Sequence, residues 1–274
     1  MYKKIVVGFA IFVLASLVAA PVLAAWGDGP DGDLHPMVGA LYYDMDANGI
    51  ISYYELVCSG SYAGVSSDGM YDVFLTAAHC LAFTPSLGYP TAYVSFDNDT
   101  IDDVSGVIEA VRYTWDPEFG QNHADLHDLG IVFLPVGSVV GILPVELPPA
   151  GYMDELLYAA ALKDLDVEAV GYGFIPIWQQ PGGTQFNMTG LRNMATTNVK
   201  GFTHAYVLYN QNQNATGEGG VCYGDSGSPQ FIVGSRMIIS VSSGGDAICR
   251  ANAYSYRLDT PDARNFLGQY LDLP

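Results

Sequence analysis

Beyond residue 25 the chain alternates short apolar runs with clusters of Gly, Pro, Asn and Asp, and it rarely holds a helical period. Runs at 38–43, 50–57, 73–77, 92–96, 107–113 and 129–134 predict strands in the first half. Runs at 167–170, 205–209, 230–233 and 237–241 predict strands in the second. Short strands spaced by turn signals point to an all-β barrel or sandwich. The proline-rich crossing Leu143-Pro144-Val145-Glu146-Leu147-Pro148-Pro149 separates the halves, giving expected domains of 25–147 and 148–274. The clear helix signal lies at the C-terminus. Thr260 can cap it, Pro261 suits the first helical position, and Asp262 complements the helix dipole. Phe266, Leu267, Tyr270 and Leu271 then share one face. A shorter helix is expected over 155–163.

The first 24 residues read differently. Lys3 and Lys4 precede an uncharged apolar run at 5–20, followed by Pro21 and then Val22-Leu23-Ala24. This predicts an export signal cleaved after Ala24, the alternative being an uncleaved membrane anchor. No second apolar run is long enough to cross a bilayer, so the mature chain is expected outside the cell and off the membrane. Ten Lys and Arg stand against 29 Asp and Glu, a net charge of −19. Loss of Lys3 and Lys4 with no acid takes −19 to −21. Such a chain repels phosphate backbones, which excludes a nucleic-acid partner. With 50% apolar and 14% charged residues it is not a disordered chain either. An oxidising compartment favours pairing of the four cysteines, Cys58, Cys80, Cys222 and Cys249. Three pairings are possible, and counting does not choose among them.

Three segments carry chemistry: Leu75-Thr76-Ala77-Ala78-His79-Cys80, His127-Asp128-Leu129-Gly130-Ile131-Val132-Phe133-Leu134, and Cys222-Tyr223-Gly224-Asp225-Ser226-Gly227-Ser228-Pro229. Each alone has an ordinary structural explanation. Together they supply a hydroxyl, the base that can take its proton near neutral pH, and the carboxylate that orients that base. Gly224 allows a backbone turn in which its N–H and that of Ser226 point at a developing oxyanion.

As a set, these strings resemble those of the trypsin/chymotrypsin family of serine peptidases, over roughly residues 35 to 271. The chain order His, Asp, Ser is that of this family rather than of subtilisins or α/β-hydrolases. Ser228 stands where most members carry Gly. The resemblance implies two antiparallel six-stranded β-barrels with a C-terminal helix and the site in the cleft between them. It implies the bridges Cys58–Cys80 and Cys222–Cys249, and the catalytic residues His79, Asp128 and Ser226. It places Gly220 at the base of the primary pocket with Val221 beside it, Ser242, Ser243 and Gly244 on the wall, and Ala253 near the back. With no carboxylate at that base, cleavage after apolar or aromatic residues is expected. The family usually begins its mature chain with Ile-Val-Gly-Gly, whose amine pairs with the Asp before the nucleophile, here Asp225. That string does not occur. The expected start coincides with the signal cleavage site, so the amine is expected at Ala25. The implied function is that of a secreted, monomeric serine endopeptidase acting on proteins or peptides without a cofactor. An inactive secreted binding protein of the same fold is the alternative.

One segment competes for a different chemistry. Asp44-Met45-Asp46-Ala47-Asn48-Gly49-Ile50-Ile51-Ser52-Tyr53-Tyr54-Glu55 follows the twelve-position calcium loop of EF-hands, with Gly49 at the sharp turn and Glu55 at the bidentate place. The flanks lack helix character, so a β-hairpin turning at Asn48-Gly49 is the expected structure and calcium the alternative. Asp97, Asp99, Asp102 and Asp103 read as a solvated acidic loop. The sequons at Asn98, Asn187 and Asn214, and the histidines His35, His123, His127 and His204, read as ordinary surface or structural residues.

Overall fold

The computed structural model describes residues 27–101, 104, 106–162, 165–177 and 183–274. The expected export signal, Ala25, Trp26, Asp102, Asp103 and Lys163 lie outside the described residues. The strands of the first half are β1 (Gly29–Pro30), β2 (Val38–Tyr42), β3 (Leu56–Val65), β4 (Tyr71–Thr76), β5 (Tyr93–Ser95), β6 (Ile108–Glu109), β7 (Arg112–Trp115) and β8 (Gly130–Pro135). Those of the second half are β9 (Asp166–Gly171), β10 (Ile175–Ile177), β11 (Gln185–Asn187), β12 (Asn193–Phe202), β13 (Tyr206–Asn210), β14 (Pro229–Ile232), β15 (Ile238–Gly245) and β16 (Asn252–Arg257). Among the described residues, short α-helices accompany them: α1 (Thr84–Leu87), α2 (Tyr152–Tyr158), α3 (Gln213–Thr216) and α4 (Pro261–Leu267).

The described residues form two separate antiparallel seven-stranded sheets; six strands of the second make the expected six-stranded barrel, and the first carries one strand more than expected. The second closes on itself, because β9 pairs with both β14 and β12, and β1 is added outside that ring. The first runs β6-β5-β2-β3-β4-β8-β7 and stays open between its ends. Its central strands are buried on both faces, as the unbroken apolar runs Val73-Phe74-Leu75 and Ile131-Val132-Phe133-Leu134 require. Both cysteine pairs, Cys58–Cys80 and Cys222–Cys249, are bonded, one in each half.

Each half is strapped by the chain end belonging to the other. The N-terminal β1 lies along β12 of the second sheet. Helix α4, capped by the Thr260 hydroxyl, leads into Tyr270, whose ring packs edge-on at 5.4 Å against Phe133 of the first sheet. The Tyr270 carbonyl accepts the Ser67 N–H at 2.8 Å. Arg192 joins the halves from within and is 1% exposed. Its guanidinium donates to Asp31 Oδ2 and the Gly32 carbonyl at 2.9 Å, and to the Phe96 and Val38 carbonyls at 3.1 and 3.3 Å. Burial alone would push the Asp31 carboxyl up, but hydrogen bonds from His35 and Arg192 outweigh it and hold the group below the ordinary range.

Three expectations need correction. The run 50–57 is not a strand throughout: Tyr53–Glu55 is a one-turn 3-10 helix, and β3 starts at Leu56. Tyr42 pairs with Leu56, so residues 43–55 are a long loop and no hairpin turns at Asn48-Gly49. The run 107–113 breaks between β6 and β7, which pair with different neighbours. Strand β12 escaped the apolar pattern because its inward positions include Asn193, Ala195 and Thr197.

Removing the Arg192 side-chain charge should test this seam. Arg192→Met leaves Asp31 buried with only His35 to hold it, and urea unfolding should show a loss of about 3–5 kcal/mol. Adding Asp31→Asn should recover part of that loss, because the orphaned charge is then gone.

Candidate functional site

The apolar strand β4 ends at Thr76, and the 3-10 turn Ala78–Cys80, tied to β3 by the Cys58–Cys80 bridge, presents His79 at the edge of the first sheet. The His79 side chain is 30% exposed and that of Asp128 only 1%. Asp128 lies two residues before the start of β8, beside His127 in a left-handed backbone conformation with φ of 53°. His79 Nδ1 lies 2.9 Å from Asp128 Oδ2 and 3.1 Å from Oδ1, and the His79 backbone N–H donates to Oδ1 at 3.0 Å. From the second sheet, the Ser243 hydroxyl donates to Asp128 Oδ2 at 2.5 Å. Burial would raise the Asp128 carboxyl, but the His79 ring, the Ser243 hydroxyl and the His79 N–H together bring it below the ordinary carboxylate range. An ionised carboxylate only accepts, so the Nδ1–H of His79 is the donor in this pair.

Ser226 sits half-buried in the turn that follows Cys222. Gly224 and Gly227 have φ of 91° and 83°, a region that side chains resist. A Cβ at Gly227 would also lie 2.1 Å from Thr76 Oγ1. The first sheet grips this turn: the Ser59 N–H donates to the Ser226 carbonyl at 2.8 Å, and the Ser59 hydroxyl donates to the Gly224 carbonyl at 2.9 Å. The Gly227 N–H donates to the Ser242 carbonyl at 2.8 Å. Cys80 Sγ, one residue from His79, lies 3.7 Å from the Ser226 carbonyl oxygen. Among the described residues, the N–H groups of Gly224 and Ser226 donate to no backbone carbonyl. The arrangement offers a base oriented by a carboxylate, a hydroxyl on the neighbouring turn, and two unspent amide donors.

Asp225 points the other way, into the interior. Its carboxylate accepts the Gly173 N–H at 2.7 Å and the Cys222 N–H at 2.9 Å. Among the described residues no cation reaches it, and burial pushes its carboxyl up to about 7 against the pull of those two amides.

A cavity of about 230 Å³ opens beside Ser226, lined in part by Val221, Ser242, Ser243, Gly244, Asp246 and Tyr254. Gly220 and Ala253, expected at its base and back, line a separate small void with Tyr209. The physical reason is Gln211, a buried residue whose amide oxygen accepts the Val221 N–H and whose side chain fills the space above Gly220. Asp246 puts a carboxylate on the wall where none was expected. It accepts the N–H groups of Arg250, Ala251 and Asn252 at 3.1, 2.7 and 2.9 Å, which hold it below the ordinary range despite partial burial. No sequence signal marked Gln211 or Asp246. Ser243 was marked for the pocket wall, and it also anchors Asp128. Only strand alternation could have told it from Ser242.

In the loop 43–55 the carboxylates of Asp44, Asp46 and Glu55 converge within 4.8 Å of one another. Glu55 is buried and accepts the N–H groups of Met45 and Ser52. The segment near Asp97 is less solvated than expected, since Thr100 is buried and bonds through its N–H and hydroxyl to the Gly190 carbonyl at 2.8 Å.

No protein-family model and no curated protein sequence matches the chain. Solved structures do. HL collagenase aligns at 15% identity with a TM-score of 0.60, covering 90% of this chain and 97% of its own. The VesB protease of Vibrio cholerae aligns at 15% identity and 0.60, covering 89% of this chain and 66% of its own. A mutant of human heparin binding protein aligns at 16% identity and 0.61, covering 89% and 93%. Two antiparallel sheets with the candidate residues at their junction, a C-terminal helix and these neighbours together give the chain the chymotrypsin-like double-barrel fold.

Proposed function

We propose that the chain is an exported serine endopeptidase. The observation that carries this reading is the His79–Asp128 pair, Nδ1 to Oδ2 at 2.9 Å, with the Ser226 turn clamped to the same sheet by Ser59. Among the described residues no hydrogen bond joins His79 to Ser226, so in this reading Nε2 and Oγ close on each other as substrate binds. In this reading Nε2 takes the Ser226 proton as Oγ attacks the scissile carbonyl. The N–H groups of Gly224 and Ser226 hold the oxyanion, and the imidazolium returns its proton to the departing amine. Water then attacks the acyl-enzyme by the same route. Asp128 stays ionised and, fixed by Ser243, stabilises the imidazolium. The two disulfides fit export to an oxidising compartment. Among the described residues no helix is long and apolar enough to cross a membrane.

The cavity beside Ser226 takes an apolar or aromatic side chain in this reading, because the Asp246 charge is spent on the amides of the 250–252 turn. The purified chain should react with a serine-directed fluorophosphonate, and Ser226→Ala should abolish the labelling. Peptides ending in Phe or Leu should be cleaved faster than those ending in Arg. Absence of labelling would leave the inactive binding protein. The name of one structural neighbour points to heparin, but a chain of net charge −19 is unsuited to that polyanion.

Asp225 is proposed to meet the amine of Ala25 once the export signal is removed. An unpaired Asp225 weakens the fold in a defined window. Its folded value, about 7, is above the ordinary value of 3.8, so the folded state binds the extra proton and stability falls as pH rises between them. Below that window the group contributes nothing. Above it the cost is roughly 4 kcal/mol. A chain starting at Ala25 should therefore be more stable than one carrying extra N-terminal residues, with the gap opening between about pH 4 and 7. Asp225→Asn should close it.

We also propose that the loop 43–55 binds calcium. Asp44, Asp46, Asn48, the Ile50 carbonyl, Ser52 and Glu55 stand at the ligand positions of the twelve-residue pattern, and three of its carboxylates already converge. Calorimetric titration after chelation should show one calcium bound per chain, and Glu55→Gln should weaken it at least tenfold. A flat titration would return the loop to a purely structural role.

A further inference from the structure

Behind the catalytic aspartate lies a second cluster, drawn from three parts of the chain. Asp125 and His127 precede Asp128 in the first half, His204 stands in the turn between β12 and β13, and Asp262 lies in the first turn of α4. Ligand atoms of Asp125, His127 and Asp262 all lie within 4.8 Å of one another. His204 Nε2 is 4.0 Å from Asp125 Oδ2 and 3.8 Å from Asp262 Oδ2. His127 Nε2 is 4.0 Å from Asp125 Oδ1 and 3.4 Å from Glu118 Oε2.

We propose that His127, His204, Asp125 and Asp262 bind a divalent transition metal of the zinc class, joining the two barrels beside Asp128. Two imidazoles and two carboxylates are a donor set for zinc. Calcium prefers oxygen ligands alone. Zinc bonded tetrahedrally at about 2.0–2.1 Å spaces its ligands by roughly 3.4 Å, so Asp125, His127 and Asp262, now within 4.8 Å of one another, have to draw together, and His204, outside that group, has to turn in from 4.0 and 3.8 Å to complete the set.

The surroundings prepare two of the ligands. His127 Nδ1 lies 3.2 Å from Asp116 Oδ2, the carboxylate–histidine pairing that fixes a tautomer and leaves Nε2 to the metal. Asp125 Oδ1 accepts the Tyr256 hydroxyl at 2.8 Å and the His127 N–H at 3.1 Å, which leaves Oδ2 toward His204. A cavity of about 140 Å³ bordered by Glu118, His127 and Asp262 gives an entry. The His204 side chain is 72% exposed, with Nε2 already turned toward the Asp125 and Asp262 carboxylates. The competing occupant is a proton: charged imidazoles would pair with the same carboxylates, and the metal must displace it. The inference does not depend on peptidase activity.

The test uses the full mature chain carrying Ser226→Ala, titrated with zinc chloride at pH 7.5 and followed by calorimetry and thermal unfolding. One zinc per chain should bind and raise Tm by several degrees, with calcium unable to displace it. His204→Ala, an exposed change, should weaken binding at least tenfold and remove the Tm shift, and His127→Gln should do the same. No saturable binding, or equal zinc affinity in the parent and His204→Ala, would overturn the assignment.

Discussion

A carboxylate buried where two barrels meet has to be held from both sides, and Asp128 is that carboxylate. The first barrel supplies the His79 ring and N–H, and the second supplies the Ser243 hydroxyl. Take away either set and part of the desolvation cost of the charge is left uncompensated. The same three donors keep Asp128 ionised and set the His79 tautomer. The stability of the seam and the chemistry proposed for the cleft therefore rest on one cluster of hydrogen bonds. Ser59 repeats the logic opposite, since a first-barrel residue clamps both carbonyls flanking Asp225 in the Ser226 turn. Neither barrel alone would give the base and the hydroxyl a fixed relation.

The composition makes this arrangement harder to build. With 29 acids against ten Lys and Arg, most buried carboxylates cannot be matched by a cationic side chain. Asp31 receives Arg192, and Asp259 receives Arg257 through two hydrogen bonds of 2.9 and 2.8 Å. Asp246 and Asp225 rely on backbone amides, and the outcomes differ. Asp246, partly open to solvent and holding three successive N–H groups, lies below the ordinary range. Asp225, fully enclosed with two, is pushed to about 7. Burial decides between them, because two amides do not replace the hydration that a sealed carboxylate gives up.

Much of this was legible in the residues. The strings around His79, Asp128 and Ser226, the all-β class and the capped terminal helix could be read because each depends on local pattern, such as apolar strand runs or a Thr-Pro-Asp cap. The two-barrel plan came only from the family resemblance that those strings carry. What could not be read depends on contacts between distant segments. Arg192 is one polar residue in an unremarkable stretch, and its role comes from four partners between 31 and 96. Gln211 displaces Gly220 from the pocket only because β13 runs on to place its side chain there. Strand β12 hid its inward face behind Asn, Ala and Thr, and the loop 43–55 hid behind an Asn-Gly that reads equally as a hairpin turn.

The acid excess also bears on where cations belong. Among the described residues, two clusters bring carboxylates together with no Lys or Arg in the group: Asp44, Asp46 and Glu55 in the first barrel's long loop, and Asp125 with Asp262 at the inter-barrel seam. Like charges a few ångströms apart repel unless something positive sits between them, and the chain has few positive residues to spare. The two clusters differ in what they offer. The first presents oxygen alone in a spaced loop, which suits a hard ion. The second adds two imidazoles from different barrels, which suits a softer one. If the proposed cations bind, they would supply at these two places the positive charge that so few basic side chains provide. Placing one of them against the residue that precedes Asp128 would couple cation supply to the geometry of the cleft.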